Sequence, residues 1–329
     1  MTQLSARPAA RPAADQAPPR SYPVLAWAVL GALWMALCVH TVLGWVTSDR
    51  DFGPAELSPG DTMPTSSLVA LRVVEVASVL VLLAAIWFLA VRPWRLRREV
   101  RIEGLLIVGG IFGFVMDSWL NVYGFLFSFN SHSVNLGAWS AHLPFHTPGV
   151  PTEYGEALLW GLPMYVYFCS GEAALGLGVR ALLLRRWPRM SPTLVLALMW
   201  VFFFVFDFVI ENLIIRTSEA YSFVRTEGAL TLWDGQQYQF PLYESFLVAC
   251  VAMAFASVRM SAERDPEGRS FIERGVEHLP TWSHHPARLL AATGYAAAVL
   301  MICYHMPFNW LSLGGSSMAD LPSYLTPPF

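Results

Sequence analysis

Seven long apolar stretches run through this chain of 329 residues, and each is interrupted by at least one polar or ionisable side chain. Crossing the hydrocarbon of a bilayer takes about 20 apolar residues. The candidate spans are 23–46, 67–91, 102–128, 155–183, 191–215, 242–258 and 289–313. The expected fold class is therefore all-α: a polytopic membrane helical bundle of about seven transmembrane helices. Charged residues make up only 14% of the chain, against about 25% in a soluble domain. Residues 1–22, rich in Ala, Pro and Arg, are expected to form a disordered cytoplasmic tail. Residues 23–315 form the transmembrane domain and 316–329 an extracytoplasmic tail. The first stretch lacks a small-residue cleavage site and reads as a retained helix. Pro163 is expected to kink the fourth.

Arginine placement gives the spans a direction. One side carries Arg7, Arg11 and Arg20, then Arg92, Arg95, Arg97, Arg98 and Arg101. Two further turns add Arg180, Arg185, Arg186 and Arg189, and Arg259, Arg264, Arg269, Arg274 and Arg288. The opposite loops hold Arg50, Arg216 and Arg225, with Arg72 inside a span. This split predicts a plasma-membrane protein with its N-terminus in the cytoplasm and its C-terminus outside. Lysine is absent from the sequence, which excludes a retinal Schiff base. A net charge of −3 gives no basic footprint for nucleic acid. Cys38, Cys169, Cys250 and Cys303 lie in apolar stretches without a CxxC pair, so no disulfide framework is indicated.

The polar interruptions fall mostly in the half of each span furthest from the arginines. An ionisable side chain in a bilayer is costly and faces a protein interior or a watery cavity. Shared depth therefore points to one buried chamber. In the fifth stretch Asp207 and Glu211 lie four apart on one helix face, with Asn212 adjacent. Asp117 and Asn121 in the third stretch repeat that spacing, as do His305 and Asn309 in the seventh. Glu244 opens the sixth, and Glu156 sits at the outer mouth of the fourth. The blander reading makes the asparagines interhelical glue, His40 a core histidine, and Arg72 and Glu75 a self-neutralising pair. Glu103 and Glu172 fall on the arginine side and can snorkel to it. The loops 129–154 and 216–241 have the length and aromatic content of segments that fold over a site. His132, His142 and His146 lie on the opposite face from His278, His284 and His285, so no histidine-box metal centre and no cofactor are expected.

Several segments, in order along the chain, resemble the avermectin spirocyclase (AveC) family of actinobacterial membrane proteins. They are VRPWR at 91–95, DSWLN at 117–121, FNSHSVNLGAW at 129–139, DFVIENLIIR at 207–216 and QFPLYE at 239–244. The resemblance extends over most of residues 20–315. It implies closure of a dihydroxy-ketone to a spiroketal, in some members with dehydration, in secondary metabolism. The substrate implied is a lipophilic polyketide-like molecule partitioned into the bilayer.

The acids suit that chemistry without a cofactor. Loss of water from a hemiketal needs an acid, the oxocarbenium needs a nearby negative charge, and attack by the second hydroxyl needs a base. The expected catalytic residues are Asp207, Glu211, Asp117 and Glu244. Asp207 and Glu211 are read as the acid/base pair, Asp117 as the cation's counter-charge and Asn121 as the group that orients a hydroxyl. Asn130, Asn135, Trp139, Asn212, His305 and Asn309 complete the expected substrate-binding set. A terpenoid-type cation cyclase would use the same groups. A proton-coupled transporter or channel would use them as a relay, although no inverted repeat is evident.

Overall fold

The computed structural model describes residues 22–57, 60–61 and 63–327. Apart from Tyr22, the tail expected over 1–22 lies outside the described residues. Among the described residues, seven helices are long and apolar enough to cross a membrane: Pro23–Val46, Thr65–Arg97, Ile102–Asn121, Gly161–Arg186, Pro192–Ser218, Leu242–Glu263 and Thr281–Leu313. The chain is thus an all-α polytopic bundle.

Three expected boundaries shift. The third span is α-helical only to Val115, tightens to a 3-10 turn over Asp117–Asn121, and gives way to a strand at Phe127. The fourth begins at Gly161 rather than 155, so Pro163 falls in its first turn. An amide hydrogen there has no intrahelical partner in any case, so proline costs the helix no hydrogen bond. The sixth runs past the expected end at 258 to Glu263.

Packing sorts the spans into a core and a rim. In the third, sixth and seventh, 72%, 67% and 67% of the apolar window is buried, against 28%, 11% and 22% in the first, second and fifth. The rim helices therefore give most of their apolar surface, such as Val69, Val73, Leu198 and Val209, to lipid. Close approach is set by small residues, as is usual where lipid offers no hydrophobic drive to association. A Cβ on Gly31 would sit 1.9 Å from the Leu290 carbonyl oxygen, so only glycine lets the first span meet the seventh there. Gly110 does the same between the third and fourth spans, where a Cβ would lie 2.6 Å from the Tyr165 carbonyl oxygen.

The loops opposite the arginines form one layer. Strand β1 (Phe127–Phe129) pairs antiparallel with β2 (Tyr221–Phe223), joining the loop after the third span to the loop after the fifth. Strand β3 (Arg225–Thr226) pairs with Ser316–Ser317, beyond the seventh span. Residues 316–327, expected as a tail, are built into this layer. The Ser131 amide donates to the Tyr324 carbonyl at 2.8 Å and the Met318 amide to the Val224 carbonyl at 2.8 Å. The Tyr324 hydroxyl donates to Glu219, which also accepts from Ser67 at 2.8 Å and Gln237 at 2.9 Å.

A buried acid cluster beneath the loop layer

The fifth span buries Val195, Met199, Phe203, Asp207, Glu211, Ile215 and Ser218. Their near-constant spacing of four draws a single inward stripe, and both acids lie on it. Asp117 starts the 3-10 turn of the third span, Glu244 lies in the first turn of the sixth, and Glu172 follows a π-helical turn (Tyr167–Gly171) in the fourth. A second π turn, Met301–His305, carries Tyr304 and His305 in the seventh. Irregular backbone at membrane depth is tolerated only where protein or a cavity surrounds it, and π turns recur at functional sites. Here three helices lose regular geometry where their polar groups meet.

Hydrogen bonds connect these groups. The Tyr165 hydroxyl donates to Asp117 Oδ1 at 2.5 Å and lies 3.4 Å from His305 Nε2, with the two rings stacked at 5.9 Å. The Tyr304 hydroxyl donates to Glu244 Oε1 at 2.8 Å. Glu244 lies within electrostatic reach of Asp117, Asp207 and Glu211, and Glu172 within reach of Asp207. Glu156, from the loop before the fourth span, is fully buried, accepts from the Ser118 hydroxyl and faces Asp117. Burial and the Asp117 charge push its carboxyl well above the usual range. From above, β2 lowers Tyr221 beside Glu211, its ring stacked between Phe127 at 5.0 Å and Trp160 at 5.1 Å. Burial, with the Glu211 charge behind it, raises the Tyr221 hydroxyl strongly.

Six buried acids thus gather here: Asp117, Glu156, Glu172, Asp207, Glu211 and Glu244. Each keeps one carboxyl oxygen without a regular hydrogen bond among the described residues. No ion pair of the described residues reaches any of them; the buried arginine, Arg288, pairs instead with Glu273 and Glu99. Uncompensated charge is so costly in such surroundings that several of these acids must carry protons. No three His, Cys, Asp or Glu side chains among the described residues are grouped as metal ligands.

The other expected positions divide. His305 reaches the cluster through Tyr165, whereas Asn309 Nδ2 donates to the Trp119 carbonyl at 3.2 Å and to the His305 carbonyl at 2.9 Å. Asn121 is engaged by backbone, accepting from Leu126 at 2.9 Å and donating to the Phe127 carbonyl at 2.8 Å. Asn130 donates to the Glu219 carbonyl at 2.8 Å, Asn135 to the Ser133 carbonyl at 2.8 Å, and Trp139 to the Val115 carbonyl at 2.5 Å. Asn212 bonds its own helix at Phe208. These groups hold loops and helix ends. Arg72 does pair with Glu75, and together they anchor the loop at the His132 carbonyl and the Val134 amide. Glu103 meets Arg259 at 3.1 Å as expected of a snorkelling acid, but Glu172 does not; it faces inward. His40, expected in the core, is exposed on the rim. A cleft of about 650 Å³ opens at the opposite end among Arg97, Arg101, Arg259 and Arg288, whose charges are offset by Glu99, Glu103 and Glu263.

Residues 96–326 match the family model described as spirocyclase AveC-like. The chain belongs to the AveC-like spirocyclase family. The match takes in the acid cluster and the loop layer and leaves out VRPWR and almost all of the first two spans. At that level the family points to a cyclase role. No curated protein and no solved structure matches the chain.

Tyr165, Tyr304, Tyr221 and Glu156 were not among the expected site residues. Glu156 carried the available signal, an acid beside an apolar stretch. A tyrosine in a membrane span carries none, because its ring suits a core as well as a site.

Proposed function

We propose that this AveC-like chain is a cofactor-independent cyclase of the plasma membrane. It would close a lipophilic, polyketide-like dihydroxy-ketone to a spiroketal with loss of one water. One observation carries the reading: six carboxyl groups buried together with no basic partner among the described residues. Such a cluster holds protons in a dry place, which is what departure of a hemiketal hydroxyl requires.

In this reading Asp207 and Glu211 are the acid and base. One protonates the hemiketal hydroxyl, the carbon–oxygen bond breaks and water leaves. The other takes the proton of the second hydroxyl as its oxygen bonds to the cationic carbon. Moving that proton across the i, i+4 pair restores the starting state. Asp117 supplies negative charge for the oxocarbenium. Glu244, set among the other acids and held by Tyr304, orients the substrate's oxygens. Asn121 is committed to backbone, so hydroxyl orientation passes to Tyr165 and His305. The N-terminus is placed in the cytoplasm and the loop layer outside, on the arginine asymmetry.

A proton-coupled transporter is the second reading, favoured by the same uncompensated acids. The two separate cleanly. Protein purified in detergent and offered dihydroxy-ketones without metal or nucleotide should release spiroketal, detected by mass loss of one water. Proton flux in liposomes that is abolished by Asp207→Asn, with no conversion, would instead establish the transporter.

A further inference from the structure

Resting on the cyclase reading, we infer that His305 catalyses the first ring closure, the addition of one hydroxyl to the ketone that precedes the work of the acid pair. Its Nδ1 takes the hydroxyl proton as that oxygen bonds to the ketone carbon and the carbon–oxygen π bond opens. The proton then passes from Nδ1 to the former ketone oxygen, which leaves a hemiketal. No proton is gained or lost, so Asp117 is still ionised when the oxocarbenium forms.

Two hydrogen bonds decide which ring nitrogen is bare. An ionised Asp117 only accepts, so the Tyr165 hydroxyl commits its proton to Asp117 Oδ1 at 2.5 Å. The Tyr165 oxygen is then left to accept, and the group 3.4 Å from it is His305 Nε2. The one proton of a neutral imidazole therefore sits on Nε2, and Nδ1 keeps its lone pair. The two rings stack within 6° of parallel, which holds this alignment.

The neighbouring donors are spent elsewhere. His305 is fully buried, yet Nδ1 has no partner. The Tyr304 ring lies 5.1 Å away, but its hydroxyl is committed to Glu244 Oε1. Asn309 Nδ2 is bonded to the Trp119 and His305 carbonyls. The histidines in ion pairs among the described residues are His132, His142 and His278, so no carboxylate holds a second proton on His305. A buried acceptor left open costs stability, and a substrate hydroxyl supplies the donor it lacks. Asp117 stands to this base as the third group of a hydrolytic triad does, at one remove. Through the Tyr165 hydroxyl its charge fixes the tautomer and stabilises the imidazolium as it forms. Tyr165 is then a positioning residue. The π turn Met301–His305, a kind of irregularity that recurs at functional sites, carries the ring.

Nitrogen NMR of the full chain in lipid nanodiscs, with isotope-labelled histidine, tests the tautomer without turnover. Signals lost in His305→Asn, or moved by Tyr165→Phe if that variant does not fold, belong to His305. They should show a protonated Nε2 and a bare Nδ1, and the preference should weaken in Tyr165→Phe. A proton on Nδ1 in the parent overturns the inference. A monohydroxy-ketone, which can close only to a hemiketal, isolates the step, and magnetisation transfer reads its ring–chain exchange. The parent should accelerate that exchange. His305→Asn still offers an acceptor oxygen, so it should keep KM and lose about 100-fold in kcat, with Tyr165→Phe losing about tenfold. Undiminished exchange in His305→Asn, with spiroketal still formed by the parent, overturns this inference alone. A parent that closes neither ring overturns the cyclase reading and this inference with it.

Discussion

Tyr304 donates its hydroxyl to Glu244 across 2.8 Å, tying the seventh span to the sixth at the depth where the acids meet. The tyrosine reaches that position from a π-helical turn, and the glutamate from the first turn after the short strand Phe240–Pro241. Tyr304→Phe leaves Glu244 with neither oxygen bonded. The expected loss is about 0.5–2 kcal/mol of stability, read as a lowered unfolding midpoint in detergent, with turnover reduced more than binding.

The loop layer should depend on the C-terminal segment. Removing residues 316–329 deletes the strand paired with β3, the Tyr324 bond to Glu219 and the Leu325 carbonyl that accepts from Ser128. Hydrogen exchange at Phe127–Phe129 and Tyr221–Phe223 should then accelerate, because those strands lose cover. Unchanged exchange there would mean that the two strands close the site unaided.

Gly31→Ala should be among the most damaging single changes far from the acids. The new methyl would press on the Leu290 carbonyl, and backbone of two packed helices must part. A cost of about 1–3 kcal/mol is expected. Thermal unfolding checks it, and Gly178→Ala, where a Cβ meets nothing within 4 Å, is the control.

How much of this was readable beforehand follows from geometry. Asp207 and Glu211 were legible because an i, i+4 spacing fixes a shared face whatever the helix packs against. Glu156 was less so, since a loop has no period from which to read its direction. Glu172 was misplaced by counting depth from residue 155. From the true start at Gly161 it lies about 16 Å down, near mid-membrane, at 1.5 Å per residue. Asn121, Asn130 and Asn135 were overread because irregular turns and loops need side-chain amides for their backbone, and no sequence pattern announced those turns.

Stability should also depend on pH through Glu156. Burial, reinforced by Asp117, holds its folded pKa well above the ordinary 4.5. The folded chain keeps a proton that the unfolded chain releases as pH rises past that value. The associated stability is full below 4.5 and is lost as pH climbs toward the folded pKa. Glu156→Gln should therefore flatten the decline of the unfolding midpoint on the alkaline side. A decline of unchanged slope would place the proton elsewhere.

The most direct test of the account is the rate of spiroketal formation by the purified protein and by Asp207→Asn, Glu211→Gln and Asn212→Ala, measured without metal or nucleotide. The two acid variants should lose about 100-fold or more. Asn212→Ala removes an amide that bonds only its own helix at Phe208 and should stay near the parent rate. Undiminished conversion in both acid variants would contradict the claim that the buried acids carry the chemistry.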